Sequence, residues 1–203
     1  TDHTKRARYI AYDIAPALNK GNNTIALWLG ASWSIFGAYA TPDKPRAPIV
    51  IAQVDIYGSN HRKLAGIITD ESWRTYPSPN KLIGNWDFGA GGYGGEIWNA
   101  NREINGWNQP NFNDQSWQKA VVYTPKLKLS AQRVETNKLF REIQPVSIEK
   151  RSDGSYRVDM GVNFAGWTQI HVKGNPCDTV RFLFSEREQN DMTFGLQNAF
   201  VIG

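Results

Sequence analysis

The feature that most constrains this chain is its lack of helical periodicity. No window of about eleven or more residues repeats apolar side chains every 3.6 positions, as an amphipathic helix requires. Short runs rich in apolar residues instead recur between Gly, Pro, Asn and Asp, which is typical of strands joined by turns. Two facing sheets are the usual way to bury the apolar faces of such strands. The sequence therefore predicts an all-β fold built as a β-sandwich.

The first half of the chain contains several strand signals. The predicted strands are residues 9–14, 24–29, 49–57 and 64–68, with one helical turn at residues 15–18. Gly58, Ser59 and Asn60 form a turn signal, so we expect residues 64–68 to pair back onto the preceding strand. Residues 81–118 are dense in Gly, Asn and Trp and too long for a simple connection, which predicts a functional or disordered loop.

The second half predicts a separate sheet unit. Its strands are expected at residues 142–150, 156–160, 167–173 and 179–185. Asp153 and Gly154 are expected to form a hairpin turn between the first two, and Gly174, Asn175 and Pro176 another between the last two. The tail, residues 192–203, shows no partner strand. We therefore expect this unit to be incomplete and either to be completed by other parts of a longer protein or to leave an exposed edge.

Composition excludes several classes of protein. The chain has 203 residues, enough for one large or two small domains, and a single cysteine, Cys177, so it has no internal disulfide. Its three histidines are too far apart in sequence to resemble a zinc site. A formal charge of +4 with interspersed acidic residues is too mild to indicate nucleic-acid binding. No apolar run approaches the roughly 18 residues of a membrane-spanning helix.

Several segments in order resemble bacterial α-L-rhamnosidases, the inverting glycoside hydrolases that remove terminal rhamnose. They are YIAYDIAPALNKGNNTIALWLG (9–30), DESW (70–73), GGEIWNANREINGW (94–107), FNDQSW (112–117), DMGVNFAGW (159–167) and FSE (184–186). The resemblance implies the N-terminal accessory region of these enzymes. In the fold it implies, residues 1–124 form a galactose-binding-like (jelly-roll) β-sandwich carrying the long loop 81–118, and residues 125–203 form a linker and the start of a second β-sandwich.

In this family the second sandwich leads to an α/α-toroid that carries the catalytic carboxylates, and no helical repeat able to build a toroid is present here. We therefore predict a fragment trimmed at both ends, without catalytic residues and inactive alone, whose parent is a glycoside hydrolase. The sequence supplies no recognisable acid–base pair of carboxylates. The favoured location is extracellular or periplasmic, although residues 1–8 contain no secretory signal.

The loop at residues 85–101 is the predicted carbohydrate site. It combines oxygen acceptors for sugar hydroxyls with aromatic planes for the C–H face of a sugar ring. The candidate residues are Asp87, Tyr93, Glu96, Trp98, Asn99 and Asn101. Some sandwiches similar to this one bind rhamnose through calcium, which implies Asp87, Glu96 and Asn99 as Ca²⁺ ligands.

Two departures from the family pattern reduce the negative charge available to a cation. Gly94 stands where the family commonly has an acidic residue or Asn, and Asn99, Ala100 and Asn101 replace Asp-Ala-Arg.

A structural interpretation of this loop competes with the interpretation as a binding site. In it, Glu96 and Asn99 accept backbone N–H bonds that hold the loop, and Trp98 belongs to the core.

The resulting function is that of a non-catalytic accessory fragment. It is expected first to brace the catalytic domain of the same polypeptide and second to hold rhamnosylated carbohydrate near it, without nucleic-acid or membrane partners. The alternatives are a self-standing calcium-dependent lectin-like carbohydrate-binding module and the sugar-binding domain of a β-galactosidase-type enzyme.

Overall fold

Strands dominate the part of the chain that the structure describes. The structure is a computed structural model and describes residues 5–30, 48–84, 94–124, 126–186 and 195–203. The strands are β1 (Arg6–Tyr9), β2 (Gln53–Tyr57), β3 (Lys63–Ile68), β4 (Arg74–Thr75), β5 (Asn80–Ile83), β6 (Gly95–Asn99), β7 (Gln118–Lys119), β8 (Lys128–Ala131), β9 (Ser147–Lys150), β10 (Tyr156–Asp159), β11 (Thr179–Leu183) and β12 (Gln197–Val201). Two short 3₁₀ turns are described in full, Ala15–Ala17 and Ala100–Arg102. The all-β class is confirmed, and the jelly-roll arrangement stays a prediction.

The largest sheet has four strands in the order β11-β12-β6-β5. Strand β12 pairs antiparallel with β11 and parallel with β6, and β5 pairs antiparallel with β6. The prediction that residues 192–203 lack a partner strand was therefore wrong. Its physical reason is that parallel partners are joined by long crossovers, so no local turn signal announces the pairing of β12 with β6.

Glycine permits the close pairing inside this sheet. A Cβ placed on Gly95 would lie 1.3 Å from the carbonyl oxygen of Gln197, so no other residue fits at this point without a backbone shift. Gly84, with φ +83°, would likewise carry a Cβ 2.5 Å from the Cα of Gly94. In the centre of the sheet Ala199 is buried, with 5% of its surface exposed. The sheet therefore depends on small residues where its strands meet.

Two of the three predicted hairpins are confirmed. Strand β3 pairs back onto β2, and the turn between them is closed by the Gly58 N–H donating to the Arg62 carbonyl oxygen at 2.9 Å. Strands β9 and β10 pair antiparallel across Asp153 and Gly154, and Gly154 adopts φ +86°. Both turns carry residues whose local chemistry selects the turn, which is why sequence sufficed.

Other predicted strands are not formed. Residues 24–29 and 167–173 carry no strand, and β1 occupies Arg6–Tyr9 rather than residues 9–14. The hairpin predicted around residues 174–176 was therefore wrong, and β11 pairs with β12 instead. An apolar run becomes a strand only where a neighbouring strand supplies donors and acceptors for its backbone, and these runs have none in the described ranges. The short helical turn is confirmed at Ala15–Ala17, with Pro16 in its first turn.

The chain divides into two compact units. The first comprises Thr1–Tyr12 and Lys126–Lys173, and contains the parallel pair β1–β8 and the hairpin β9–β10. The second comprises Asp13–Pro125 and Gly174–Gly203 and contains the four-stranded sheet. This grouping places β1, β11 and β12 differently from the division at residue 124, and that division stays a prediction.

Candidate functional site

Strand β6 separates the predicted carbohydrate residues onto two faces. Successive side chains of a strand point to opposite sides. Glu96 and Trp98 therefore share one face of the sheet, whereas Asn99 belongs to the other, and Asn101 follows in the 3₁₀ turn. Asp87 and Tyr93 lie outside the described residues. The structure thus brings together only part of the predicted set.

A row of polar side chains crosses the Glu96 face of the sheet. It consists of Asn80 on β5, Glu96 on β6 and Asn198 on β12, and we call it the polar row. The Asn80 side-chain amide donates to Glu96 Oε2 at 2.6 Å, and the Glu96 backbone N–H donates to Asn198 Oδ1 at 3.0 Å. The Glu96 side chain is held by Asn80 yet remains exposed, so its carboxylate is both oriented and accessible.

Sequence analysis missed Asn80 and Asn198. Asn80 lies 16 positions before Glu96 and Asn198 lies 102 positions after it, and neither belongs to a motif. Only the pairing of three strands brings them together. Within the described ranges Asn80 Oδ1 is buried without a hydrogen-bond donor, so the contact of its NH₂ group with Glu96 is the one that orients the side chain.

Two tryptophans stack beside the polar row. The rings of Trp28 and Trp98 lie 5.1 Å apart at 18°, and Trp107 meets Trp28 edge-on at 5.7 Å. The Trp98 indole N–H donates to Glu103 Oε1 at 2.6 Å, which fixes the orientation of its ring. Trp98 is half-buried, in partial agreement with its predicted place in the core, whereas Trp28 is 48% exposed. We call Trp28 and Trp98 the indole pair.

On the other side of β6, the asparagines hold the backbone. Asn99 Oδ1 accepts from the Asn101 backbone N–H at 3.0 Å, and the Asn101 side chain donates to the Ile202 carbonyl oxygen at 3.0 Å. For Asn99 this is the backbone-capping role of the structural interpretation. For Glu96 the donor is the side chain of Asn80 rather than a backbone N–H. The binding roles of the six predicted residues stay predictions.

Glu96 and Asn99 are the two described members of the predicted calcium set. Glu96 and Asn99 lie on opposite faces of β6, and each already accepts a hydrogen bond from the protein. Across the described ranges, no three His, Cys, Asp or Glu side chains converge as a metal site. The calcium set, which also includes Asp87 outside the described residues, stays a prediction.

Shifted pKa values occur away from the polar row. A hydrogen bond from the Lys63 ammonium, followed by one from Gln53, lowers the pKa of Asp55, and the same contact with Asp55 raises the pKa of Lys63. The hydroxyl and backbone N–H of Ser72 lower the pKa of Asp70. These groups belong to a hairpin and a turn and bind their own neighbours in sequence, so they mark local structure rather than a reactive site.

Asn113 lies at a turn that its own side chain stabilises. Asn113 Oδ1 accepts from the Gln115 backbone N–H at 3.2 Å, while the rings of Phe112 and Trp117 meet at 5.5 Å. These contacts agree with a structural role for this segment.

No helix in the part of the chain that the structure describes has the length and apolar character of a membrane-spanning segment.

Comparison with known proteins identifies the family. A family model described as "Alpha-L-rhamnosidase N-terminal domain" matches residues 1–141. The chain belongs to this family. The match includes β5, β6 and the indole pair, and ends before β12, so the Asn198 end of the polar row lies beyond the matched residues.

The chain is also similar to longer proteins. It is 27% identical over 199 residues to an α-L-rhamnosidase of Formosa agariphila, covering 92% of this chain and 20% of that protein. An α-L-rhamnosidase of Streptomyces avermitilis is 25% identical over 98% of this chain and 19% of its own length. The chain thus spans about a fifth of the curated relatives that it matches.

Two solved structures share the fold. The α-L-rhamnosidase of Dictyoglumus thermophilum superimposes with a TM-score of 0.75 at 24% identity, over 100% of this chain and 22% of that one. The Streptomyces avermitilis α-L-rhamnosidase complexed with L-rhamnose gives 0.74 at 18% identity, covering 20% of its own chain. Both support the all-β architecture described above.

Proposed function

We propose that this chain is the accessory N-terminal part of an α-L-rhamnosidase and braces the catalytic domain of the same polypeptide. The observation that carries the proposal is its coverage: nearly the whole chain matches rhamnosidases, and the match accounts for only about a fifth of each. We use "parent polypeptide" for the longer chain in which we propose that these residues lie.

Bracing is a role that a β-rich domain can perform by packing alone. The described carboxylates near the polar row are bound to fixed donors: Glu96 accepts from Asn80 and Glu103 accepts from Trp98. Such contacts orient side chains and stabilise the sheet. A domain of this kind contributes to its neighbour by covering apolar surface, since burial stabilises by roughly 25 cal/mol per Å² of apolar area.

Deletion of residues 1–203 from the parent polypeptide tests the bracing role. We expect the remaining protein to unfold at a lower temperature than the parent, because surface that the accessory part covers becomes exposed to water. Differential scanning calorimetry of the two proteins, at matched concentration and pH, measures the difference. Equal unfolding temperatures for the catalytic transition in the two proteins would contradict the role.

We propose a second function, the capture of rhamnose-containing carbohydrate on the polar row. An oriented, exposed carboxylate and a neighbouring amide accept and donate hydrogen bonds to sugar hydroxyls, and a partly exposed indole offers an apolar plane for the C–H face of the ring. Glu96, Asn198 and Trp28 supply these three elements. Calorimetric titration of the chain with L-rhamnose tests the capture directly.

The titration also tests the role of a cation. Repeating it with added calcium and then with a chelator shows whether the affinity for rhamnose depends on a metal ion. Asp87 is one of the residues predicted to bind such an ion. Binding that is unchanged by the chelator would show that recognition needs no metal. Flat titrations under all conditions would leave the chain with the bracing role only.

A further inference from the structure

Strands β1 and β8 bring basic side chains from two distant segments of the chain onto one surface. The strands pair in parallel, with Arg6 opposite Lys128 and Arg8 opposite Ser130. Residues directly opposite each other in a sheet share a face, and so do residues two positions apart in one strand. These four side chains therefore form one face of the strand pair, which we call the basic face.

The cations of the basic face have no acidic partner among the described residues. Arg6, Arg8 and Lys128 are all exposed. None of the three forms an ion pair or a hydrogen bond with a carboxylate of the described ranges. The positive charge of this face is therefore available to an anion from solution.

Other strand pairs of the chain place a carboxylate beside a cation. In the hairpin β2–β3 the Lys63 ammonium lies 2.7 Å from Asp55 Oδ1. In the hairpin β9–β10 Arg157 lies opposite Glu149. The basic face departs from this pattern, because the residue opposite Arg6 is a second cation.

A second pair of opposed cations occurs on β4 and β7, where Arg74 lies opposite Lys119. There the Arg74 side chain is partly buried and its guanidinium donates to the Trp117 carbonyl oxygen at 3.4 Å. The protein itself thus supplies an acceptor for one of these two cations. At the basic face, no such acceptor is present in the described residues.

The arrangement of the basic face suits more than one anionic group. Like charges directly opposite in a sheet repel, and an anion held between Arg6 and Lys128 would remove that repulsion while accepting charge-assisted hydrogen bonds. Arg8 lies two residues further along the strand, roughly 7 Å away. The Ser130 hydroxyl lies opposite Arg8 and can donate to the same group. A ligand with repeated anionic groups therefore fits this face better than a single small anion.

The basic face lacks the side chains that nucleic-acid binding uses. Proteins that bind single strands stack the bases on aromatic rings. The aromatic residue of this strand pair, Tyr9, lies opposite Ala131 on the other face. Both strands also lie within residues 1–141, which match the α-L-rhamnosidase N-terminal domain family. An anionic carbohydrate is the polyanion that agrees with both observations.

We propose that the basic face binds an acidic polysaccharide through its carboxylate or sulfate groups. One group would lie between Arg6 and Lys128, and the next would contact Arg8 and Ser130. This role rests on the proposed place of the chain in a carbohydrate-active parent polypeptide, and it does not depend on the polar row.

Calorimetric titration of residues 1–203 with three polymers tests the role. Polygalacturonate presents carboxylates, dextran sulfate presents sulfates, and unmodified dextran is neutral. We expect at least one acidic polymer to bind and dextran not to bind. The affinity should fall as sodium chloride rises from about 0.05 M to about 0.5 M, because salt screens exposed charges.

Lys128→Glu locates the binding. It places a carboxylate opposite Arg6, so an internal ion pair replaces the contact with the polymer. We expect the dissociation constant for the acidic polymer to rise about tenfold or more, while the urea midpoint of unfolding stays the same or rises. Arg6→Gln, which only removes a charge at an exposed position, should also weaken binding.

Lys20→Glu is the matched control, because it makes the same change of charge at an exposed lysine of the other compact unit. Its affinity should stay within about twofold of that of the unchanged chain. Equal weakening by Lys128→Glu and Lys20→Glu would overturn the proposal, since binding would then follow net charge alone. Absence of binding to both acidic polymers at low salt would overturn it too, as would tighter binding to a short duplex DNA.

The polymer titration and the L-rhamnose titration fail independently. Lys128→Glu should leave the affinity for L-rhamnose unchanged, and Glu96→Gln should leave the affinity for the acidic polymer unchanged. Flat L-rhamnose titrations beside intact polymer binding would remove rhamnose capture and keep the basic face. The reverse result would remove the basic face and keep rhamnose capture.

Discussion

Glu96 combines an exposed carboxylate with a side chain that a hydrogen bond holds in place. Its Oε2 accepts a short hydrogen bond from Asn80, while the side chain remains exposed on the sheet. A carboxylate held in this way loses little conformational entropy when it binds a hydroxyl, and hydrogen bonds to charged groups contribute about 1.5–3 kcal/mol. Its position favours a contact with sugar.

Replacing this carboxylate by an amide should weaken sugar binding without unfolding the sheet. Glu96→Gln keeps an oxygen that can accept from Asn80 and removes the charge. We expect the dissociation constant for L-rhamnose to rise about tenfold, which corresponds to about 1.4 kcal/mol. The measurement is calorimetric titration of the purified chain.

Glu71→Gln is the matched control, because Glu71 is an exposed carboxylate in the same compact unit outside the polar row. Its affinity should equal that of the unchanged chain. Equal affinities for the Glu96→Gln variant and the control would remove Glu96 from the site, whatever the absolute value of the dissociation constant.

At the scale of single residues, the sequence predicts the roles of side chains whose partners lie within a few positions along the chain. Asn113 caps a residue two positions on, and Gly154 supplies the positive φ of its own turn, so their roles follow from local patterns. Asn80 and Asn198 escape prediction because their partner, Glu96, is distant in sequence. Their roles exist only once the strands have paired.

Among the strand pairings, the junction of β6 with β12 leaves the least room for a larger side chain. The two strands run parallel with Glu96 opposite Asn198, and Gly95 lies where the backbone of Gln197 passes. This junction joins the predicted loop segment to the end of the chain. Both the sheet and the polar row depend on it.

A methyl group at this junction should destabilise the sheet. Gly95→Ala would place its Cβ 1.3 Å from the Gln197 carbonyl oxygen, so the strands must separate or shift. We expect the free energy of unfolding to fall by about 3 kcal/mol, the upper range for overpacked sites. Urea unfolding followed by tryptophan fluorescence measures the change.

Gly30→Ala provides the control, because a Cβ at Gly30 meets nothing within 4 Å and the backbone does not need a left-handed conformation. The same chemical change there should alter stability by less than about 0.5 kcal/mol. Similar losses for both variants would show that the β6–β12 junction is not the sensitive point.

The hairpins β2–β3 and β9–β10 were predictable because each strand follows its partner after a short turn. Residues 24–29 and 167–173 have equally apolar sequences but no strand partner in the described ranges. Pairing, rather than apolar content, decides which runs become strands. The four-stranded sheet joins segments about 100 residues apart, and no single-sequence signal encodes that choice.

At the scale of the whole molecule, the family match and the share of each relative that the chain spans both support the proposed accessory role. The chain belongs to the α-L-rhamnosidase N-terminal domain family and spans about a fifth of its curated relatives. Its all-β class follows from the strand and turn pattern, and the residues that resemble rhamnosidases predicted the family. The grouping of its two compact units depends on pairings between distant segments, which the linear pattern does not contain.

Hydrolysis of a chromogenic aryl α-L-rhamnoside tests the central claim, that this chain assists a rhamnosidase without performing its chemistry. Residues 1–203 should release no chromophore above a buffer control, and the parent polypeptide should release it under the same conditions. Release by residues 1–203 that disappears on Glu96→Gln, with the Glu71→Gln control unchanged, would contradict the account.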